Sequence, residues 1–182
     1  MSIEQFVAQS EGNWRSMRSG HSLAFQQFED VLSEISIHLI EQSHQDVQDV
    51  INSSSLTTPA KIVSPFKMEW NAESDWEPDD PSEVSSGSCI IVPVEIDERS
   101  GRLIRSKGYA ESEFVESHYS FLDDGTFVLT TPYEQSIAEE RIWFVSENVR
   151  CRSSILKTSE GSGILQASFA SEVRKLGMIK KG

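Results

Sequence analysis

The chain has 182 residues, 37% hydrophobic and 25% charged, enough for one domain around a sizeable core. Its 29 acidic and 16 basic residues leave a net charge of −13. That balance argues against a nucleic-acid backbone or an anionic membrane surface as partner, since both need a basic face, and no apolar run approaches membrane-spanning length.

The first residues, MSIEQFVAQSEGNW, lack the basic leader, unbroken apolar stretch and cleavage site of a secretory signal, so the chain is expected in the cytosol, not inserted in a membrane. Ser2 is a candidate N-cap. Ile3, Phe6 and Val7 fall on one side of a short helix that Gly12 can end. From Asn13 the pattern alternates. Residues 14–29 and 33–41 read as two strands joined by a short turn near Asp30. In SHQDVQDVIN, Val47, Val50 and Ile51 recur at helical spacing, which predicts a short helix lying across one end of the fold.

Strands then follow one another at 61–70, 88–96, 101–110, 114–122, 126–134, 138–145, 148–157 and 163–175. The turn-forming stretches DERSG, LDDG, SEN and TSEGSG separate several of them. Regular spacing without crossover helices predicts an antiparallel up-and-down sheet. About ten strands close most economically into a barrel, which removes the sheet edges and leaves room for a small ligand. A helix followed by Gly-x-Trp at the first strand, here GNW with Trp14, is how lipocalin-type barrels begin, the Trp closing the barrel end. The expected architecture is therefore a single all-β domain over residues 1–182, an antiparallel up-and-down barrel of about ten strands with an N-terminal helix and one short helix.

Strand parity sorts the chemistry without deciding which face is inside. Met68 and Trp70 share a face, with Glu69 on the other. Arg150, Arg152 and Ser154 share one, as do Ser168, Ala170, Glu172 and Arg174. Glu140, Ile142 and Phe144 oppose Glu139, Arg141 and Trp143. If the charged faces point inward, the cavity offers guanidinium forks for carboxylates and aromatic walls for a flat ring. Parity alone favours the opposite, with Arg150, Arg152 and Glu172 solvated and Cys151, Ser153, Ile155, Phe169 and Val173 inside, because strand charges usually face water. Met68 and Trp70 then read as core.

Cys89 and Cys151 are expected free in a reducing compartment. Cys89, in CIIVPV, reads as a buried small hydrophobe. Cys151 points away from its flanking arginines and reads as filler. His21, His38, His44 and His118 show no metal-ligand spacing. No G-x-S-x-G elbow is present, and EGSG lacks the Lys-Ser/Thr of a phosphate loop.

Several stretches together, SEGNWRSMRSGHSLAFQQ, KMEW, GSCIIVPV, GRLIRSKGYAE, EERIWFVSENVRCRSSILK and ASFASEVR, resemble the S/U-type phycobiliprotein lyases of cyanobacteria and related algae. The resemblance runs nearly end to end and is thinnest at 42–62 and 77–86. It implies a lipocalin-like antiparallel barrel that binds an open-chain tetrapyrrole, phycocyanobilin or phycoerythrobilin, as substrate rather than prosthetic group. The bilin passes to a cysteine of a phycobiliprotein subunit.

The family's pocket positions fall here on Arg18, Met68, Trp70, Trp76, Arg150, Arg152 and Glu172, which reverses the parity-only reading. The resemblance implies that the arginines hold the propionates, that Trp70 and Trp76 stack on the rings, and that Met68 fills between them. Glu172, or Glu140 behind it, favours the protonated bilin. Some members act alone or as homodimers, others only as a pair of related subunits. Cys151 stands where an aliphatic residue is usual, and the loop EPDDPSEVSS is more acidic than the family leads one to expect. A bilin carrier without transfer activity, or a lipocalin-like binder of another apolar ligand, are the rival readings.

Overall fold

A computed structural model describes residues 1–23, 25–54, 60–74, 86–106, 115–160 and 163–176, with only the backbone of 73, 74 and 115. Trp76 and the acidic loop therefore lie outside the described residues.

The chain opens with helix α1 (Ile3–Ser10), started by a reciprocal cap. The Ser2 hydroxyl accepts from the Gln5 amide at 3.3 Å, and the Gln5 side chain accepts from the Ser2 amide at 2.9 Å. Its apolar side, Ile3, Phe6 and Val7, is buried. Phe6 stacks on Phe127 with ring centres 4.3 Å apart and meets Phe121 and Phe144 edge-on at 5.9 Å.

Ten strands close into a barrel: β1 (Gly12–Ser22), β2 (Gln27–Leu39), β4 (Phe66–Ser74), β5 (Ser86–Asp97), β6 (Ser100–Arg105), β7 (Val115–Phe121), β8 (Phe127–Pro132), β9 (Ser136–Ser146), β10 (Val149–Thr158) and β11 (Ile164–Arg174). Each pairs antiparallel with the next, and β11 returns to β1, so no barrel strand keeps a free edge. The two-residue β3 (Lys61–Ile62) extends the β5 pairing beyond β4. The expected up-and-down, lipocalin-like closure is what forms.

α1 plugs the end where β1 begins and β11 finishes. Trp14 is fully buried there, and its indole N–H donates to the Ser10 carbonyl at 2.8 Å. Arg150 and Arg174 lie over its ring at 4.5 and 4.3 Å. Arg174 also donates to the carbonyls of Gln9, at 2.7 Å, and Glu11, which are orphaned at the end of α1. The β1–β2, β8–β9 and β10–β11 turns ring the opposite end, hereafter the mouth.

β5 is covered on both faces, and this accounts for its unbroken apolar run. Cys89 and Ile91 join the interior core. Ile90, Val92 and Val94 pack outward beneath helix α2 (Gln45–Ser53) with Val47, Val50 and Ile104. Burying Val47 and Val50 stabilises this outer layer by roughly 1.5–3 kcal/mol per side chain. α2 thus lies on the outer wall, not across an end as its sequence suggested.

Two further expectations change. The first hairpin turns between Ser22 and Gln27, with Gln26 at φ 54°, and the chain is already strand at Asp30. The expected strand 61–70 is broken at 63–65, where Ser64 has φ 45° and Pro65 has no amide to donate.

Gly101 on β6 marks the tightest backbone approach. A methyl group there would stand 2.5 Å from Tyr119 Oη, 2.6 Å from its Cε1, and closer still to the Val94 carbonyl oxygen, which cannot yield. Gly101→Ala is expected to cost about 3 kcal/mol, lowering Tm by roughly 6–12 °C in thermal unfolding.

Candidate functional site

The cross-strand registers bring separate sequence blocks into three inward rows. One runs Ser16–Glu172–Arg150 across β1, β11 and β10. The next runs Arg18–Ala170–Arg152, and the third Gly20–Ser168–Ser154–Glu140, reaching β9. Between the charged groups the inward residues of this wall are small: Ser16, Gly20, Ser154, Ser168 and Ala170.

Arg150 and Glu172 are each 1% exposed and are joined through Arg150 Nε and Glu172 Oε2. The other Glu172 oxygen faces Arg152 Nε at 3.3 Å and accepts from the Ser16 hydroxyl at 3.5 Å. Arg152 Nη1 reaches Glu140 at 3.4 Å. Arg18 pairs with Glu29 at 3.8 Å. Exposure rises along this series: 1% at Arg150 and Glu172, 23 and 30% at Arg152 and Glu140, 42 and 49% at Arg18 and Glu29. The wall thus runs from a locked base to a wet upper edge.

Burial alone would push the Glu172 carboxyl up, but Arg152 and Arg150 outweigh it and hold it below the usual carboxylate range. Burial draws Arg150 down to about 10, against the opposing pull of Glu172. Burial opposes the Arg152 charge too, yet Glu172 and Glu140 together raise its pKa. All three are charged at neutral pH. Among the described residues Arg150 Nη2 nonetheless finds no hydrogen-bond acceptor, and Arg152 Nε meets Glu172 as an ion pair without hydrogen-bond geometry.

Met68 and Trp70 point inward from β4, four strands around the ten-strand ring from Arg152, close to the facing wall. Met68 is flanked by Ile37 and Cys89, and Trp70 by Ile35 and Gly87. Both are half-buried and pack against the core. Glu69 points outward and pairs with Lys67 at 2.8 Å. Arginines and carboxylates on one side and a thioether and indole on the other can hold a flat molecule with carboxylate arms.

The parity-only reading is overturned. Phe169, Val173 and Ile155 are 47, 51 and 37% exposed on the outer wall, with Ser153 and Cys151 on the same face. The register opposing Arg150 to Glu172 makes an inward charged face tolerable, since each charge has its partner inside. Cys151 sits between Trp143 and Ser171 on that outer wall, and Cys89 is buried; neither forms a disulfide among the described residues. Sequence reasoning missed Ser16, Glu29 and Gly87. Only Gly87 carried a usable signal, a glycine at the start of an apolar strand.

Among the described residues no three His, Cys, Asp or Glu gather as a metal site. Two surface clefts of about 500 and 460 Å³, beside Lys61 and Arg99 and beside Leu39 and Pro65, share no residue with this constellation.

A family model described as CpeS-like protein matches residues 2–175. The chain is 48% identical over 176 residues to "Chromophore lyase CpcS/CpeS 3" of Trichodesmium erythraeum, covering 96% of this chain and 99% of that protein. It is 38% identical over 177 residues to "Chromophore lyase CpcS/CpeS" of Thermosynechococcus vestitus, covering 96 and 93%. Its fold matches the solved structure of the S-type phycobiliprotein lyase CPES from Guillardia theta with a TM-score of 0.81 and 38% identity, over 97% of this chain and 94% of that one.

Proposed function

The chain belongs to the CpeS-like family, and from that membership we propose that it is a chromophore lyase that binds a phycobilin inside its barrel and promotes thioether attachment to a phycobiliprotein cysteine. One observation supports this most: the inward pair Arg152 and Glu140, backed by Arg150–Glu172, stands four to five strands around the ten-strand ring from Met68 and Trp70, with Arg18 on β1 between them.

Arg152 and Arg18, the exposed guanidinium groups of that wall, take the two propionates by charge-assisted hydrogen bonds. Arg150 supports them from beneath. Trp70 stacks on the ring system and Met68 fills beside it; Trp76, the second stacking residue that the resemblance implies, lies outside the described residues. Glu172 has both oxygens engaged and acts as a positioning residue for Arg152. Glu140 is the better-placed carboxylate for the pyrrole nitrogens. Its bond to Arg152 is long, and a propionate on Arg152 releases it. A carboxylate there favours the protonated bilin and draws electron density from ring A.

The acceptor thiolate then adds to the ring A ethylidene. Its electron pair forms the C–S bond, the exocyclic π pair enters the conjugated system, and a ring carbon takes the proton. No oxidant or reductant is consumed. The lyase supplies orientation and shelter, and the nucleophile belongs to the acceptor. The protein works in the cytosol without a prosthetic group of its own; among the described residues no helix is long and apolar enough to cross a membrane.

Cys151 lies on the opposite face from Arg150 and Arg152, so Cys151→Ser is expected to keep transfer within twofold of the wild type. Complete loss in a correctly folded variant sinks the mechanism.

A second reading, an accessory subunit that transfers only with a related lyase chain, is favoured by the apolar outer wall of Met17, Trp143, Phe169 and Val173. The test is to mix the purified protein with phycocyanobilin or phycoerythrobilin and an apo-phycobiliprotein subunit, then follow covalent bilin on denaturing gels. Transfer by the protein alone supports lyase action. Bilin binding with transfer only after a second lyase subunit is added supports the accessory role. No bilin binding removes both readings.

A further inference from the structure

Gly87 lies on β5 directly opposite Trp70 on β4, on the inward face. Its backbone is not the reason for a glycine. Among the described residues the positive-φ glycines are Gly12 and Gly125, so Gly87 has a conformation open to any residue. What excludes a side chain is the indole. A methyl group on Gly87 would stand 2.9 Å from both Cε2 and Cη2 of Trp70 and closer still to Cζ2. The six-membered half of the ring therefore lies over the bare Cα, as cross-strand glycine–aromatic pairs do. Its inward neighbours on the same strand, Cys89 and Ile91, carry side chains and belong to the core.

The geometry points to Gly87 as a positioning residue for bilin binding: by lacking a side chain it lets the Trp70 indole settle back over β5, which sets the width of the ring-binding space. This rests on the bilin-lyase reading above. Any larger residue at 87 pushes the indole about 1 Å toward the barrel axis, to restore ordinary carbon–carbon separation. A shift of that size at a surface meant to stack on a rigid conjugated ring is enough to cost one to two orders of magnitude in productive binding.

The test is a double-mutant cycle read with phycocyanobilin. Gly87→Ala is expected to weaken binding at least tenfold and to broaden the red band. Trp70→Ala removes the ring that the methyl group strikes, so adding Gly87→Ala to Trp70→Ala is expected to change affinity less than twofold. Wild-type affinity and band shape in Gly87→Ala overturn the proposal. So does an equal loss in both backgrounds, which makes the glycine a requirement of the strand itself.

A bilin-free readout separates this from the underlying function. The Trp70 indole N–H resonance, assigned by its disappearance in Trp70→Ala, is expected to shift in Gly87→Ala. An unmoved resonance overturns the positioning role even if bilin binds, whereas a shifted one with no bilin binding by the wild type faults the lyase reading instead. If Gly87→Ala alone does not fold, the double variant is expected to fold as Trp70→Ala does. Failure of both places the requirement in the backbone and refutes the role.

Discussion

Glu172→Gln is expected to cost the fold about 3–5 kcal/mol, the usual loss when one member of a buried ion pair is removed and its partner is stranded. Here two guanidinium groups are stranded. Arg150 is 1% exposed and, among the described residues, has no other carboxylate, while Arg152 keeps only its long contact to Glu140. Gln fills nearly the same volume, so the loss is electrostatic rather than a cavity. Urea unfolding checks it: the midpoint falls while the slope holds. A change below 1 kcal/mol refutes the idea that this pair anchors the wall.

The pH dependence has a definite sign. The folded carboxyl lies below its unfolded value near 4.5, so its contribution is present above that pH and lost as pH falls through the folded value. The gap between wild type and Glu172→Gln is therefore expected to narrow in acid.

Arg152→Gln is expected to act on the ligand rather than the fold. Arg152 is part-exposed, and without it Glu172 still has Arg150 and Glu140 still meets water. A charge-assisted hydrogen bond contributes about 1.5–3 kcal/mol, so phycocyanobilin affinity is expected to fall roughly 10- to 150-fold. Titration followed at the red absorption band reads this directly. The contrast with Glu172→Gln separates a ligand-holding arginine from a wall-holding carboxylate. Wild-type affinity in Arg152→Gln removes the propionate assignment.

The barrel was legible because its signals are local. Alternation, tight turns and the absence of crossovers lie in the sequence, and so does the Gly-x-Trp that seats Trp14 under α1. What lay inside was not legible from periodicity. Parity grouped Arg150 with Arg152 and Ser168 with Glu172, but the choice of face depends on which strand meets which. Only the β10–β11 register, placing Arg150 opposite Glu172, makes an inward charge stable. The family resemblance supplied that choice; the alternation could not.

The same limit explains the other misses. Nothing near residues 43–52 says that the helix will cover β5 rather than an end. The first turn lacks glycine and is formed by Gln26, so Asp30 looked the better turn residue. Ser16 and Glu29 matter through partners that no spacing in the chain announces.

The central claim, that the ligand occupies the barrel between these two walls, is tested most directly by a crystal structure of the protein with phycocyanobilin. The account predicts a propionate within hydrogen-bond distance of Arg152, a ring against Trp70 and Glu140 facing the pyrrole nitrogens. A bilin seated on the outer wall beside Phe169, or in the clefts at the closed end, would contradict it.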